Sequence, residues 1–185
     1  LRSINLGATK VSDLSALKGA PLKNLEIYHT AITSLEPLRG MQLNSLMTGG
    51  SKGITNLAPL KGQPLTSLKI WDHPGLNDLS PLAGMKLGHL QAGGITASNW
   101  EVLRDMPLRN LNVPGSNIRD LSVIAGKQLK QLILSGTKAT DFDVLREMDL
   151  RTCALEGTAI RDLSQIGGTN LSHLNLQATP ITDLS

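Results

Sequence analysis

The chain has 185 residues, a formal net charge of +3 and 40% hydrophobic residues. A single cysteine excludes an intrachain disulfide and a cysteine-rich zinc site, and no apolar stretch has the length of a membrane span. The weak positive charge makes nucleic acid an unlikely partner. Because no secretory signal precedes Leu1, we slightly favour a cytoplasmic location.

A unit of 21 or 22 residues recurs through the whole chain and always begins with leucine. The units begin at Leu1, Leu22, Leu43, Leu65, Leu87, Leu108, Leu129, Leu150 and Leu171. A period of this length predicts a solenoid in which each repeat adds one strand and one short helix or turn. We expect a single domain over residues 1–185. Since no capping repeat is recognisable, we expect it to be a piece of a longer protein.

Each unit opens with a predicted strand, as the second repeat illustrates. Leu25 and Ile27 alternate there with polar residues, which is typical of a strand with one buried face. Stacked strands would form a parallel sheet with a spacing of about 4.8 Å. The ninth residue, Thr30, marks a turn in which its hydroxyl group can bond to the backbone. Its equivalents are Thr9, Ser116, Thr137, Thr158 and Thr179.

A short helix of one to two turns, in places a 3₁₀ helix, is predicted in the second half of each unit. It is preceded by an aspartate that can cap it, at Asp13, Asp78, Asp120, Asp141, Asp162 and Asp183. It is followed by a glycine that ends it, at Gly19, Gly40, Gly62, Gly84, Gly126 and Gly168.

Two repeats depart from this helical pattern. Trp100 and Phe142 replace a leucine, while Ala97 and Ala139 replace a larger residue three positions earlier. This exchange keeps the core volume nearly constant, so both aromatic side chains are predicted to fill the core. Both repeats lack the terminal glycine, so their helices should be longer and more regular. Cys153 occupies a leucine column and is predicted to be a buried core residue.

The consensus T-x-I-x-D-L-S-P-L-x-G-M-x-L appears nearly whole in Asn77–Leu87 and again as Thr30–Leu43. It resembles the bacterial leucine-rich repeat family, both internalin repeats and, more closely, short planctomycete-type arrays that often accompany a serine/threonine kinase domain. The resemblance covers the whole chain. It implies a right-handed α/β solenoid with a parallel sheet on the concave side, 3₁₀ turns or helices on the convex side, and binding on the concave side. Threonine in place of a ladder asparagine, and the lack of an N-terminal cap, argue against an adhesin role.

A strip of the concave face in the N-terminal and middle repeats is the candidate partner-binding surface. Tyr28 and Trp71 hold the seventh position of repeats two apart, about 10 Å from each other. Between and after them lie the glycine pairs 49–50 and 93–94, which would form floors between aromatic walls. The predicted contact residues are Tyr28, His29, Met47, Lys69, Trp71, Asp72, His73 and His89. A second interpretation is that Tyr28 and Trp71 only cover neighbouring repeats, shielding Thr48 and Ala92.

Other chemical signals in the chain are weak. Asp72 and the adjacent His73 cannot easily converge with His29 on one metal ion, so we expect surface polar residues rather than a metal site. Residues 49–53 lack the spacing of a phosphate-binding loop, and a one-residue insertion explains them better. No nucleophile–base pair or carboxylate pair stands out, which predicts no enzyme activity and no cofactor.

The sequence therefore favours a non-catalytic protein–protein interaction scaffold that binds a protein or a peptide. The alternative is the recognition or regulatory arm of a larger enzyme, such as a bacterial serine/threonine kinase. We expect a monomer, although exposed sheet edges make end-to-end association of the isolated chain a risk.

Overall fold

A computed structural model describes residues 1–167 and 170–183 of the chain. Within them lie nine three-residue strands, which pair in chain order as one parallel sheet. The strands are β1 Ser3–Asn5, β2 Asn24–Glu26, β3 Ser45–Met47, β4 Ser67–Lys69, β5 His89–Gln91, β6 Asn110–Asn112, β7 Gln131–Ile133, β8 Thr152–Ala154 and β9 His173–Asn175. The predicted solenoid with one strand per repeat is confirmed.

The register of the sheet follows the repeat without a slip. Ser3 is paired with Asn24, and Asn24 with Ser45, and the same step continues to His173 at the last strand. The third residue of each repeat therefore forms one column across the sheet face, and the fifth residue forms another. Residues at the same strand position in successive repeats are therefore neighbours across the sheet.

Short 3₁₀ helices form the opposite, convex side of the described chain. They are η1 Ser15–Leu17, η2 Glu36–Leu38, η3 Ala58–Leu60, η4 Ser80–Leu82, η5 Trp100–Leu103, η6 Leu121–Ile124, η7 Asp143–Glu147 and η8 Leu163–Gln165. The 3₁₀ geometry suits the sequence because about three residues per turn complete a turn in the few positions available.

The predicted boundaries of these helices are largely confirmed. Ser15 N–H donates to Asp13 Oδ1 at 2.9 Å, and Ser122 N–H donates to Asp120 Oδ1 at 2.8 Å. Beyond the helices, the terminal glycines have φ values from 69° at Gly126 to 77° at Gly84, a region that favours glycine. Gly168 lies outside the described residues.

The two atypical helices match the prediction only in part. η5 has four residues and η7 has five, against three in most of the others. They are nevertheless 3₁₀ helices and not more regular, because their backbone bonds run from a residue to the third one before it, as from Leu145 N–H to Phe142 O at 2.9 Å. The volume exchange is confirmed, with Trp100 4% and Phe142 0% exposed.

The core is a continuous apolar row between the sheet and the 3₁₀ helices. The leucines that open repeats 2 to 8 are all buried in it. Cys153 belongs to the same core. Cys153 is 1% exposed, which confirms its predicted core position. At the two ends, Leu1 is 84% exposed and Leu174 is 41% exposed.

Candidate binding surface on the sheet face

The chain turns sharply just after each strand, and this turn positions the candidate side chains. The eighth residue of each repeat has a positive φ, at Ala8, His29, Gly50, Asp72, Gly94, Gly115, Gly136, Gly157 and Ala178. Its N–H donates to the carbonyl group of the seventh residue in the next repeat, as from His29 to Gly49 at 2.9 Å. The side chain of the seventh residue of each repeat therefore projects from a regular ladder of backbone hydrogen bonds at the edge of the sheet.

Four of these turns hold a residue with a Cβ atom where glycine is favoured, namely Ala8, His29, Asp72 and Ala178. His29 has a φ of 52° and Asp72 has a φ of 58°. A left-handed backbone costs a residue with a Cβ atom about 1 kcal/mol. His29 and Asp72 directly follow an aromatic residue of the candidate strip, whereas Ala8 follows Gly7 and Ala178 follows Gln177.

Each aromatic side chain of the strip rests on a glycine of the preceding repeat. A Cβ atom added at Gly7 would lie 2.2 Å from Tyr28 Cε1, and one added at Gly49 would lie 2.0 Å from Trp71 Cδ2. The tyrosine and tryptophan are both half-buried. Their rings are thus held in place on one face while part of each ring stays open to solvent.

His29 extends this arrangement in the opposite direction along the array. A Cβ atom added at Gly50 would lie 2.1 Å from His29 Nδ1, so the imidazole covers a glycine of the following repeat. The centroids of the Tyr28 and His29 rings are 5.8 Å apart, with an interplanar angle of 83°. This edge-to-face geometry is favourable for aromatic pairs. The Gly49–Gly50 pair is consequently covered by rings from both neighbouring repeats.

The glycines therefore do not form open floors, and that prediction is wrong. Gly49 lies under the Trp71 ring, and Gly93 lies close to the Pro114 ring, whose Cδ would be 2.8 Å from an added Cβ atom. The second interpretation holds to the extent that Tyr28 and Trp71 do cover neighbouring repeats. The residues that the structure shows beneath the two rings are Gly7 and Gly49.

Three further predicted contact residues lie on the sheet next to the rings. Met47 on β3 and Lys69 on β4 are register partners and are both half-buried. His89 on β5 is exposed, and its Nδ1 lies 3.0 Å from Asn110 Nδ2. Residues that the sequence period assigned to one surface are thus neighbours on one face of the sheet.

His73 is the exception, because it is 0% exposed and cannot belong to the surface. It takes the ninth position of its repeat, where a hydroxyl residue is usual. Its Nε2 lies 2.8 Å from Thr48 Oγ1. Burial lowers the pKa of His73, and the Ser51 carbonyl group and the Asp72 carboxylate oppose this only in part. The prediction of a surface polar residue failed because a threonine at the buried sixth position of repeat 3 calls for a polar partner.

The hydroxyl groups of the ninth column confirm the predicted turn at most positions. Thr30 Oγ1 donates to Ile27 O at 2.8 Å, and Thr158 Oγ1 donates to Leu155 O at 2.7 Å. Ser51, the ninth residue of repeat 3, donates to the same Ile27 O. Ser116 Oγ and Thr137 Oγ1 are buried without a partner among the described residues.

A group of amides next to the strip was not among the predicted contacts. Gln91, Asn110, Asn112 and Gln131 line a shallow depression of about 230 Å³ together with Lys69 and His89. Asn112 Oδ1 is buried and lacks a hydrogen-bond partner among the described residues. The signal was present in the third and fifth columns of the repeat, where amides follow one another from β5 to β7. These amides extend the candidate surface towards the C-terminus.

The described residues offer little for other chemistry. They contain no group of three or more His, Cys, Asp or Glu side chains that could hold a metal ion. Burial raises the pKa of the Cys153 thiol to about 12, which disfavours a reactive thiolate. None of the described helices is long and apolar enough to cross a membrane.

Comparison with known proteins identifies the fold but goes no further. No family model matches the chain, and no curated protein matches its sequence. Among solved structures it is similar to internalin C2 of Listeria monocytogenes, with a TM-score of 0.75 and 23% identity over 81% of this chain and 71% of that one. It is also similar to the internalin InlF of the same organism, with a TM-score of 0.69 and 20% identity over 96% of this chain and 68% of that one.

A third similar structure is the functional domain of InlJ from Listeria monocytogenes. Its TM-score is 0.62 and its identity 18%, and the match covers 100% of this chain and 46% of that one. That domain includes a cysteine ladder, which this chain, with one cysteine, does not share. The chain thus has the leucine-rich repeat fold seen in bacterial internalins.

Proposed function

We propose that the chain is a non-catalytic protein–protein interaction scaffold that binds a protein or a peptide on the concave face of its sheet. The observation that carries this proposal is the set of rings of Tyr28, His29 and Trp71, each seated on a glycine of a neighbouring repeat and still partly open. Tyrosine and tryptophan are enriched among the residues that dominate binding energy at interfaces. Rings that are already held in place lose little freedom on binding, which raises affinity.

The neighbouring residues supply the polar part of such a surface. Lys69, His89 and the amides of β5 to β7 offer donors and acceptors suited to a peptide backbone. A recognition arm of a larger enzyme would use the same face.

A displayed peptide library tests this proposal with a matched control. Peptides are selected on the parent chain and their affinities are measured for Tyr28→Ala/Trp71→Ala and for Pro114→Ala. Pro114 covers Gly93 as Trp71 covers Gly49, but it lies outside the strip. We expect the double variant to lose at least about 2 kcal/mol of binding free energy, and the control less than about 0.5 kcal/mol.

The folding state of both variants is followed by thermal melting. If selected peptides bind the folded double variant as tightly as the parent, the strip is not the binding surface. If no peptide is enriched on the parent at all, the proposal of peptide recognition by this chain is wrong.

A further inference from the structure

The small net charge of the chain conceals a strong separation of charge between its edges. The segments that directly precede strands β1 to β8 all lie on the same edge of the parallel solenoid. These segments are 1–2, 18–23, 39–44, 61–66, 83–88, 104–109, 125–130 and 148–151. They hold eleven of the 18 Lys and Arg residues but only two of the 15 Asp and Glu residues, a net charge of +9 against −6 for the remaining chain. We call these eleven residues the basic edge.

Backbone hydrogen bonds place part of the basic edge in a continuous row. Lys23 N–H donates to Arg2 O at 2.7 Å, Lys130 N–H donates to Arg109 O at 2.7 Å, and Arg151 N–H donates to Lys130 O at 2.9 Å. Three cations therefore stand at successive positions, about 4.8 Å apart by strand spacing. Like charges at opposed positions are destabilising. Lys23 and Lys130 offset part of this cost, because their Nζ groups donate to Gln42 O and to Asp149 O.

Most of the basic edge is open to solvent. Eight of its members are exposed, while Lys23, Lys127 and Lys130 are half-buried. Carboxylates pair with Arg39, Arg104 and Lys130. In the described part of the chain no ion pair or side-chain hydrogen bond engages the other six exposed cations, which are Arg2, Lys18, Lys61, Lys86, Arg109 and Arg151. Their charges are available to an outside partner.

The arrangement distinguishes between kinds of anionic partner. The chain's four aromatic residues all lie outside these segments, so no stacking platform for a single-stranded nucleic acid exists on this edge. The connecting segments are six residues long or shorter, and no helix or ribbon projects from them to enter a groove of duplex DNA. A broad row of separate cations suits a surface with distributed negative charge.

We propose that the basic edge docks the chain on an anionic lipid bilayer. Each lysine or arginine near such a surface adds to its attraction, and the net negative charge of the remaining chain orients the molecule with this edge towards the lipid. The sheet face then points along the bilayer and stays open to a protein or peptide. The inference does not depend on the proposed function of that face.

Vesicle sedimentation with the 185-residue chain tests the proposal. The vesicles contain phosphatidylcholine alone or phosphatidylcholine mixed with phosphatidylglycerol, at about 0.01 M and about 0.15 M salt, where the Debye lengths are about 30 Å and about 8 Å. The edge variant is Lys18→Glu/Lys61→Glu/Lys86→Glu. The matched control is Lys10→Glu/Lys52→Glu/Lys138→Glu, which makes the same charge change at exposed lysines of the opposite edge.

We expect the parent to bind only vesicles with phosphatidylglycerol, and more weakly at the higher salt. The edge variant should lose on the order of a hundredfold in partition coefficient, and the control should lose far less. Thermal melting shows whether both variants are folded. The proposal is overturned if the parent fails to bind at low salt, if the two variants lose binding equally, or if a duplex oligonucleotide binds more tightly than the vesicles.

Discussion

Repeats 2 to 4 and repeats 5 to 8 share one strand register but place their unusual residues on opposite sides. In the first group, Tyr28 and Trp71 stand on the rim of the sheet face, half-buried over glycines. In the second group, Trp100 and Phe142 lie inside the core beside small alanines. The column that a residue occupies in the repeat therefore decides whether a ring fills the interior or forms a surface.

The same contrast extends to buried polar groups. Repeats 3 and 4 each carry one additional residue, at the turns 52–53 and 74–75. Between these repeats lies the buried pair of Thr48 and His73. The equivalent pair between repeats 5 and 6 is Ala92 and Ser116, both buried, and Ser116 Oγ has no partner among the described residues. The two groups thus differ in repeat length, since repeats 3 and 4 have 22 residues and repeats 5 to 8 have 21.

The largest expected difference between the two groups is in stability. Phe142→Ala should destabilise the chain by about 3–5 kcal/mol, because a fully buried ring leaves a cavity. Tyr28→Ala should cost about 1 kcal/mol, because its ring is partly exposed. Urea denaturation of both variants measures the two free energies of unfolding. Equal losses would mean that Tyr28 serves the core and not a surface.

A smaller effect is expected where a ring rests on a glycine. Gly49→Ala should destabilise the chain by about 1–3 kcal/mol, since the new Cβ atom would lie 2.0 Å from Trp71. Gly88→Ala is the matched control, because the atom nearest to an added Cβ there is Thr66 O at 3.8 Å. Urea denaturation gives the stability change, and fluorescence in a Trp100→Phe background reports the displacement of Trp71.

The contact between the Trp71 ring and Gly49 should also affect peptide binding. A displaced Trp71 should weaken the peptides selected on the parent chain, whereas Gly88→Ala should leave them unchanged. An unchanged emission spectrum and unchanged stability in Gly49→Ala would show that the Trp71 ring does not rest on this glycine in solution.

The smallest effect concerns pH. Burial lowers the pKa of His73 below its ordinary value of 6.5, so at pH values under 6.5 the unfolded chain takes up a proton before the folded one. The stability contributed by the neutral ring is complete above that pH and declines as the pH falls below it. Urea denaturation from pH 7 to pH 5 measures this decline. His73→Asn should flatten it, and an equally steep decline in that variant would assign it to other groups.

Much of the fold followed from one repeated pattern. The strand at Asn24–Glu26, the cap at Asp120 and the buried positions of Trp100, Phe142 and Cys153 were all predicted from period and residue type. Such predictions succeed because each repeat offers nearly the same local environment, so one repeat informs the next. The length of η5 and η7 was judged from local sequence, but their type depends on the space left by the neighbouring repeats.

The candidate surface was predictable only as a set of columns. Tyr28, His29, Met47, Lys69, Trp71 and His89 lie near one another as the columns indicated, whereas His73 turned inward. The direction in which a ring leans is not encoded in its column. Tyr28 leans towards Gly7 of the preceding repeat, and His29 leans towards Gly50 of the following one.

By itself, the sequence determined the period, the strand register and the identity of the buried columns, because a side chain's burial in a solenoid depends on its place in the repeat. Only the tertiary structure decided which glycine each ring covers, that Thr48 and His73 meet, and that most of the cations share one edge. These features are contacts between repeats some 20 residues apart in the chain. The path of the backbone, and not the spacing of residues along it, brings such groups together.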